Sequence, residues 1–257
     1  MSTREWLRSD GLKLGTILTI DHPVIAEIAE LAGFDWLWID AEHGRFNELT
    51  TATALAISGR RLPILVRLPD QSATTIKRYL DIGCDGIILP LVSSVSEIES
   101  IARAALYPPR GERSVGLSRA QGYGAHFPEC LTQQDYAVVV QIETVKGVDN
   151  ADSIISHPAV DGVIIGPYDL SASFGIPGEI DSQQVVDGIA VIQKVCERYS
   201  KPCGIFAASA SKSRDYARSG FNLVAVGIDC SVLLDGFRSV CEAVRRPLLE
   251  VESSKVL

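Results

Sequence analysis

The chain alternates short runs of apolar, often β-branched residues with longer segments in which apolar residues recur at helical spacing. The short runs predict eight buried strands: Leu14–Thr19, Trp36–Ile39, Pro63–Val66, Gly86–Leu89, Ala137–Ile142, Gly162–Ile165, Cys203–Phe206 and Leu223–Val226. The longer segments predict helices: Val24–Ala32, Glu48–Ser58, Ala73–Ile82, Val95–Ala105, Val148–Ile155, Ser182–Tyr199, Lys212–Ser219 and Ser231–Arg246. This alternation is typical of parallel βα units.

Glycine marks several joints between a helix and the following strand, at Gly33, Gly83 and Gly220. A weak internal repeat supports the same unit, because the segment beginning at Asp85 resembles the one beginning at Asp161. A chain of 257 residues suits one α/β barrel, which typically needs about 250. We therefore predict an α/β protein, a (β/α)8 TIM barrel that forms a single domain over residues 1–257, rather than an open doubly wound sheet.

The long connection Tyr107–Asp135 interrupts this rhythm. Its first part is too rich in proline and glycine for a helix, and a loop of this length in a compact domain is usually functional or interfacial. Because it joins the fourth helix to the fifth strand, it starts at the amino ends of the strands. To reach the active site it would have to pass over a rim or serve a neighbouring subunit.

The composition narrows the possible partners. Apolar residues make up 46% of the chain, and the net charge of −8 leaves no basic surplus for nucleic acid or an anionic membrane. The six cysteines have neither a CxxC pair nor a Cys/His zinc spacing, which suits free thiols in a reducing compartment. The first residues lack the apolar core of a signal peptide, and no apolar run reaches membrane-spanning length. A cytoplasmic protein acting on a small molecule is the expectation.

Candidate chemistry lies at the carboxyl ends of the predicted strands, where parallel barrels carry their active sites. Gln141 and Glu143 end the fifth strand, and Asp169 follows the sixth. Two carboxylates at adjacent strand ends suit Mg²⁺ or Mn²⁺, with positions left for water and substrate. The alternative is that Asp169 caps a helix and Glu143 is an ion-pair partner.

Further polar residues follow the second and third strands. His43, flanked by Asp40 and Glu42, is a candidate general base, although an isolated loop histidine is often only solvated. Arg67 ends an otherwise apolar strand, where it could bind a carboxylate or an enolate oxygen, or pair with an acid of the rim. None of the predicted strand ends carries a lysine for a Schiff base.

These residues together resemble the 4-hydroxy-2-oxoheptanedioate aldolase/citrate lyase superfamily, and most closely its metal-dependent class II pyruvate aldolases, the branch that includes 2-dehydro-3-deoxyglucarate aldolase. The similar blocks follow family order across nearly the whole chain: Gly33-Phe-Asp-Trp…Ile-Asp-Ala-Glu-His43, Val66-Arg67, Ile82-Gly83…Ile88-Leu-Pro90, Tyr107-Pro-Pro-Arg-Gly-Glu-Arg113, Val140-Gln-Ile-Glu143, Asp161-Gly-Val-Ile-Ile-Gly-Pro-Tyr-Asp-Leu-Ser171 and Val224-Ala-Val-Gly-Ile-Asp229. The resemblance implies a barrel whose last helix is exchanged between protomers, in a homohexamer built as a trimer of dimers.

The resemblance also implies the site. Glu143 and Asp169 would hold Mg²⁺, Mn²⁺ or Co²⁺, which pyruvate or its enolate chelates through keto and carboxylate oxygens. Arg67 would stabilise the enolate oxygen. His43 would be the acid/base for the aldol hydroxyl. The remaining residues implied for the site are Asp40, and Asp81 across a subunit contact, which orient His43; Gln141, which supports the metal; and Gly166, Pro167 and Tyr168, at the substrate carboxylate.

Two departures from the family pattern lie on the side expected for the aldehyde. Gly44-Arg45 follows the Glu-His pair where these aldolases commonly have Ala-Pro, and Tyr168 stands where alanine is usual. The Glu-His-Gly version resembles macrophomate synthase and related oxaloacetate decarboxylases. The expected activity is therefore cleavage of a 4-hydroxy-2-oxo acid to pyruvate and an aldehyde. The alternatives are oxaloacetate decarboxylation or enolate trapping at the same site and, more remotely, a non-catalytic barrel.

Overall fold

A computed structural model of the chain describes residues 1–58, 61–133 and 135–253. Eight parallel strands close into a barrel in which each strand pairs with the next and the eighth pairs with the first. The strands are β1 (Lys13–Leu18), β2 (Trp36–Asp40), β3 (Ile64–Arg67), β4 (Gly86–Leu89), β5 (Ala137–Ile142), β6 (Gly162–Ile165), β7 (Cys203–Ala207) and β8 (Leu223–Ile228). The predicted (β/α)8 barrel is confirmed, and every predicted strand boundary lies within two residues of the observed one.

Helices cover the outside of the barrel. They are α1 (Thr3–Arg8), α2 (Pro23–Leu31), α3 (Glu48–Ile57), α4 (Ala73–Asp81), α5 (Val95–Ala105), α6 (Phe127–Thr132), α7 (Val145–Asp149), α8 (Ala151–Ile155), α9 (Pro167–Ser173), α10 (Gln183–Arg198), α11 (Ala210–Arg218) and α12 (Asp229–Ser253). The helix predicted over Val148–Ile155 is wrong in detail, because two short helices meet there at Asn150. The short helices α1, α6 and α9 were not predicted, since six or seven residues are too few to display a helical period.

Alternation along the strands divides the core into two clusters. Side chains such as Trp36, Trp38, Leu65 and Ile164 fill the inside of the barrel and are almost completely buried. The intervening strand residues, with Leu37 and Ile39 as examples, pack outward against the helices. A barrel filled in this way is a packed core rather than a pore, so its chemistry is confined to the strand ends.

The amino ends of the strands are sealed by α1 and by a repeated aspartate. Leu7 of α1 is fully buried in the inner cluster, and Arg4 donates to Asp161 at 2.7 Å. Just before each of β2, β4 and β6, an aspartate accepts a hydrogen bond from the backbone N–H of a residue at the start of the preceding strand. The pairs are Leu14 with Asp35 at 2.8 Å, Ile64 with Asp85 at 2.9 Å and Val138 with Asp161 at 3.0 Å.

The last helix, α12, exposes many of its apolar side chains. Val232, Phe237, Val240 and Val244 each expose more than half of their surface in a single protomer. In the part of the chain that the structure describes, no helix is long and apolar enough to cross a membrane.

Candidate active site

The carboxyl ends of β2, β3, β5 and β6 bring most of the predicted site residues together. Asp40, Arg67 and Gln141 continue the inward-facing alternation of Trp38, Leu65 and Val139. Glu143 follows β5 one strand period after Gln141, and Asp169 lies in the first turn of α9. The barrel therefore concentrates charged side chains at one rim.

Arg67 and Asp40 form a buried ion pair. The Arg67 Nε and Nη2 atoms donate to the two Asp40 carboxylate oxygens at 2.9 and 2.7 Å, and the guanidinium lies 5.2 Å from the Trp38 ring centre. Glu42 Oε2 lies 3.2 Å from the Arg67 Nε atom. Burial alone would lower the pKa of Arg67, but Asp40, Glu42 and Glu143 outweigh it and raise that pKa, so the side chain stays a cation.

Glu143 is a buried carboxylate held from two sides. Its Oε1 atom accepts the backbone N–H of Leu91 at 2.9 Å, and its Oε2 atom accepts the side-chain amide of Gln141. Burial and, after it, the nearby Asp169 carboxylate raise the pKa of Glu143 to about 8 against the opposing effects of Leu91 and Arg67. A cation bound beside the two carboxyl groups would offset the repulsion between them.

Gly166 makes this close arrangement possible. A Cβ atom at position 166 would lie 2.3 Å from Glu143 Oε2 and 3.0 Å from Gln141 Nε2. Any larger residue would therefore displace the Glu143 carboxylate or its amide partner. The glycine is needed for close approach, since its backbone φ of −98° is open to other residues.

The donor set fits a hard divalent cation. Glu143 and Asp169 offer carboxylate oxygens, and the Gln141 Oε1 atom is buried beside them without a hydrogen-bond partner. Mg²⁺ is commonly held by one or two carboxylates and keeps several water ligands. Among the described residues, no group of three or more His, Cys, Asp or Glu side chains is placed to hold an ion.

His43 lies at the edge of this cluster. Its side chain is 70% exposed, and its Nε2 atom is 3.6 Å from Glu42 Oε2. Asp40 accepts the backbone N–H of His43 at 3.2 Å, so it fixes the loop at this position. Gly44 permits the tight path of this loop, because a Cβ atom there would lie 2.2 Å from the Asp40 carbonyl oxygen.

Of the predicted site residues, Asp81 lies apart from the cluster and Tyr168 lies at its margin. Asp81 ends α4, on the side of the barrel where strands begin, and pairs with Arg113 at 2.5 Å. Within one protomer it is therefore not brought to His43. Tyr168 lies at the margin, 42% exposed, with its ring 6.2 Å from that of Phe206.

The sequence pattern does not reveal two contributors to the site. Glu42 contacts Arg67, although in the sequence it indicates only a charge flanking His43. Leu91 supplies an N–H to Glu143 from a backbone φ of 56°, a left-handed value that is uncommon for leucine. Its position just after Pro90 could have suggested a turn, but the sequence has no signal for the hydrogen bond.

A closed parallel barrel with a carboxylate pair, a buried arginine and a histidine at one rim places this protein among the (β/α)8 barrels with a charged site at the carboxyl ends of their strands. The model of the HpcH/HpaI aldolase/citrate lyase family matches residues 13–236. A 5-keto-4-deoxy-D-glucarate aldolase from Enterobacter sp. (strain 638) is 33% identical over 244 residues, covering 93% of this chain and 95% of the relative.

Solved structures agree with the family match. A family protein from Burkholderia cenocepacia J2315 superposes with a TM-score of 0.89 at 30% identity, covering 94% of this chain and 98% of the other. Macrophomate synthase superposes with a TM-score of 0.77 at 25% identity, covering 96% and 90%. The chain belongs to the HpcH/HpaI aldolase/citrate lyase family, and it is a carbon–carbon lyase of the aldolase type.

Proposed function

We propose that the protein is a divalent-metal-dependent pyruvate aldolase that cleaves a 4-hydroxy-2-oxo acid to pyruvate and an aldehyde. The observation that carries this proposal is the carboxyl pair of Glu143 and Asp169 on the same rim as the buried cation Arg67. The named activity of the relatives, cleavage of 5-keto-4-deoxy-D-glucarate, supports the reaction class.

Glu143 and Asp169 would hold the cation, which when bound would act as a Lewis acid on the 2-oxo acid. We place the substrate carboxylate near the backbone N–H groups of Tyr168 and Asp169, with Gly166 and Pro167 shaping that turn. Arg67 would stabilise the negative charge that develops on the keto oxygen during cleavage. Gln141 would keep the Glu143 carboxylate oriented, because it donates to Oε2. The experiment below also compares Mg²⁺, Mn²⁺ and Co²⁺ as the native ion.

His43 would take the proton from the 4-hydroxyl group as the C3–C4 bond breaks and return it in the reverse reaction. Its exposed ring leaves room for substrate and for a group from another protomer. Asp40 would orient it through the backbone contact. We propose that Asp81 contacts His43 of a neighbouring subunit and orients it, since the two residues are far apart within one protomer.

A contact between Asp81 and a neighbouring subunit requires an oligomer, and the exposed apolar side chains of α12 support one. We propose that the apolar side chains of α12 pack against a second copy, in the homohexamer of three dimers and exchanged helices that the family resemblance implies. Their exposure in one protomer is the supporting observation.

A cytoplasmic location is also proposed. It suits the six cysteines, which form no disulfide with one another in the described structure.

The test is an assay of metal-stripped protein reconstituted separately with Mg²⁺, Mn²⁺ and Co²⁺. Pyruvate release is measured from several 4-hydroxy-2-oxo acids, 5-keto-4-deoxy-D-glucarate among them, with the Glu143→Ala variant as control. Turnover that needs an added ion and disappears in the variant supports the proposal. Turnover without metal, or activity that survives the substitution, would overturn it.

The likeness to macrophomate synthase favours oxaloacetate decarboxylation as a second candidate at the same site. Loss of CO₂ generates the enolate without removing a proton from a hydroxyl group. The His43→Ala variant should therefore keep most decarboxylation while losing retro-aldol cleavage. If wild-type protein decarboxylates oxaloacetate and cleaves no 4-hydroxy-2-oxo acid, the second candidate replaces the first.

A further inference from the structure

The mouth of the barrel has a polar side, formed by β2, β3 and β5, and an apolar side. Ile88 of β4 and Ile164 of β6 are buried beside the polar residues. The last inward-facing residues of β2, β3 and β5 are Asp40, Arg67 and Gln141. On β1, β7 and β8 the corresponding side chains are Ile17, Phe206 and Ile228, all of which contact the inner cluster. We call these three residues the apolar arc.

Tyr168 extends the apolar arc outward. Its ring lies 6.2 Å from that of Phe206 at a tilt of 51°, a spacing and angle that aromatic pairs favour. Tyr168 is 42% exposed, and Phe206 is only partly buried. Because Tyr168 directly precedes Asp169, its ring and the proposed ligand carboxylate project from the same turn of α9. An apolar surface thus adjoins the reaction centre and remains open to solvent.

We propose that Phe206 and Tyr168 receive the aldehyde half of the substrate and select an uncharged, apolar substituent on it. This proposal rests on the proposed function, which assigns the keto acid half to the polar side between Arg67, Glu143 and Asp169. The bond to be cleaved then directs the aldehyde half away from those charges and toward the apolar arc. Burying an apolar substituent against two rings is favourable.

A second carboxylate on the aldehyde half would meet unfavourable charge. Asp40, Glu42, Glu143 and Asp169 already contribute four carboxyl groups to the rim, and the Arg67 guanidinium is engaged by Asp40 and Glu42. An anionic substituent on the apolar arc would lose water, and the cation of the neighbouring loop, Arg45, is exposed and lies 3.7 Å from Asp21. The expected substrate therefore differs from a dicarboxylic acid such as 5-keto-4-deoxy-D-glucarate.

The test compares two aldehydes of similar shape in the synthetic direction, with metal-reconstituted wild-type protein and saturating pyruvate. In this reaction pyruvate C3 loses a proton and bonds to the aldehyde carbon, and the aldehyde oxygen gains a proton. The aldehydes are 4-methylpentanal and succinic semialdehyde, in which an isopropyl group replaces a carboxylate. We expect kcat/KM to be at least about tenfold higher for 4-methylpentanal, a difference of about 1.4 kcal/mol.

Three variants identify the residues responsible. Tyr168→Ala and Phe206→Ala should each reduce the ratio of the two kcat/KM values several-fold, whereas Tyr168→Phe, which keeps the ring, should preserve it. The ratio is the readout because general damage to the site affects both aldehydes alike. Thermal unfolding checks each fold, and Tyr168→Ala on the partly exposed helix keeps the test valid if Phe206→Ala does not fold.

The outcomes distinguish a failure of this proposal from a failure of the proposed aldolase function. If wild-type protein performs the aldol reaction but prefers succinic semialdehyde, or if the ratio is unchanged in both alanine variants, the selection of apolar aldehydes is overturned and the aldolase assignment stands. If neither aldehyde reacts and no 4-hydroxy-2-oxo acid is cleaved, both proposals are overturned together.

Discussion

Three aspartates at the amino ends of the strands and the pair of Glu143 and Asp169 at the carboxyl ends differ in how the fold surrounds them. At the amino ends, Asp35, Asp85 and Asp161 each accept a backbone N–H from the preceding strand, and Asp161 also contacts Arg4. At the carboxyl ends, Glu143 lies against Asp169, and burial raises the pKa of Glu143 to about 8. One set of acids is satisfied by the fold, while the other is placed where it repels its neighbour.

We infer from this difference which of these acids serve the fold and which serve the proposed chemistry. An ionised carboxylate that accepts backbone N–H groups stabilises the folded state. A buried carboxylate with a raised pKa disfavours the folded state at a pH above its ordinary value, because its charged form is costly in the fold. We propose that Glu143 tolerates this cost because a bound divalent cation would offset it.

The largest expected effect is on catalysis when the carboxyl-end acid is neutralised. Glu143→Gln should lower kcat/KM for retro-aldol cleavage by about a thousandfold or more, since one of two charged ligands is lost. Thermal stability without added metal should stay the same or rise, because the substitution removes a buried group whose ionised form is disfavoured. Steady-state kinetics and thermal unfolding measure the two effects, and a large loss of stability would contradict the assignment of Glu143 to chemistry.

Neutralising an amino-end acid should have the reverse effect. Asp161→Ala leaves the Val138 N–H and Arg4 without their acceptor and should lower the free energy of unfolding by about 2–4 kcal/mol. Activity at a temperature where the variant is folded should remain close to that of wild type. Asp161→Asn, which keeps an acceptor oxygen, is the matched control and should lose less stability. If Asp161→Ala abolishes turnover while remaining fully stable, the division between the two ends fails.

A third test adds volume at the carboxyl end without removing charge. Gly166→Ala places a methyl group 2.3 Å from Glu143 Oε2, so the carboxylate or its Gln141 partner must shift. A displacement of about 1 Å at a catalytic site costs on the order of 100-fold, and we expect kcat/KM to fall by about that factor. Gly116→Ala, at a glycine with open space around its Cβ position, is the control and should be neutral. Near-normal activity of Gly166→Ala would mean that the tight contact is unimportant.

The sequence predicts the barrel itself more completely than either of its two ends. The strands are apolar on both faces because they lie between two cores, and such apolar runs are visible in segments such as Trp36–Ile39. The aspartates at 85 and 161 were visible as a repeat. Phe206, by contrast, looks like any core residue, since its place at the open mouth depends on where its strand ends. The family resemblance supplied roles for Asp81 and Gln141 that spacing alone could not.

The smallest expected effect concerns how each end supplies its N–H donors. The amino-end acids receive N–H groups from regular strand residues such as Leu14 and Ile64. Glu143 receives one from Leu91, whose φ is 56°. A left-handed conformation costs a residue with a side chain about 1–2 kcal/mol, so this donor is held in place by its surroundings.

Leu91→Gly keeps the N–H and relieves that strain, while glycine makes the unfolded chain more flexible. These effects oppose each other, and we expect the stability to change by less than about 1 kcal/mol and kcat/KM to stay within about threefold. Leu91→Val also keeps the N–H but places a β-branched residue at positive φ, where it is strongly disfavoured. It should lower kcat/KM by about tenfold by moving the donor away from Glu143. If the glycine and valine variants have equal activity, the strained donor has no part in positioning Glu143, and the carboxylate is held by Gln141 alone.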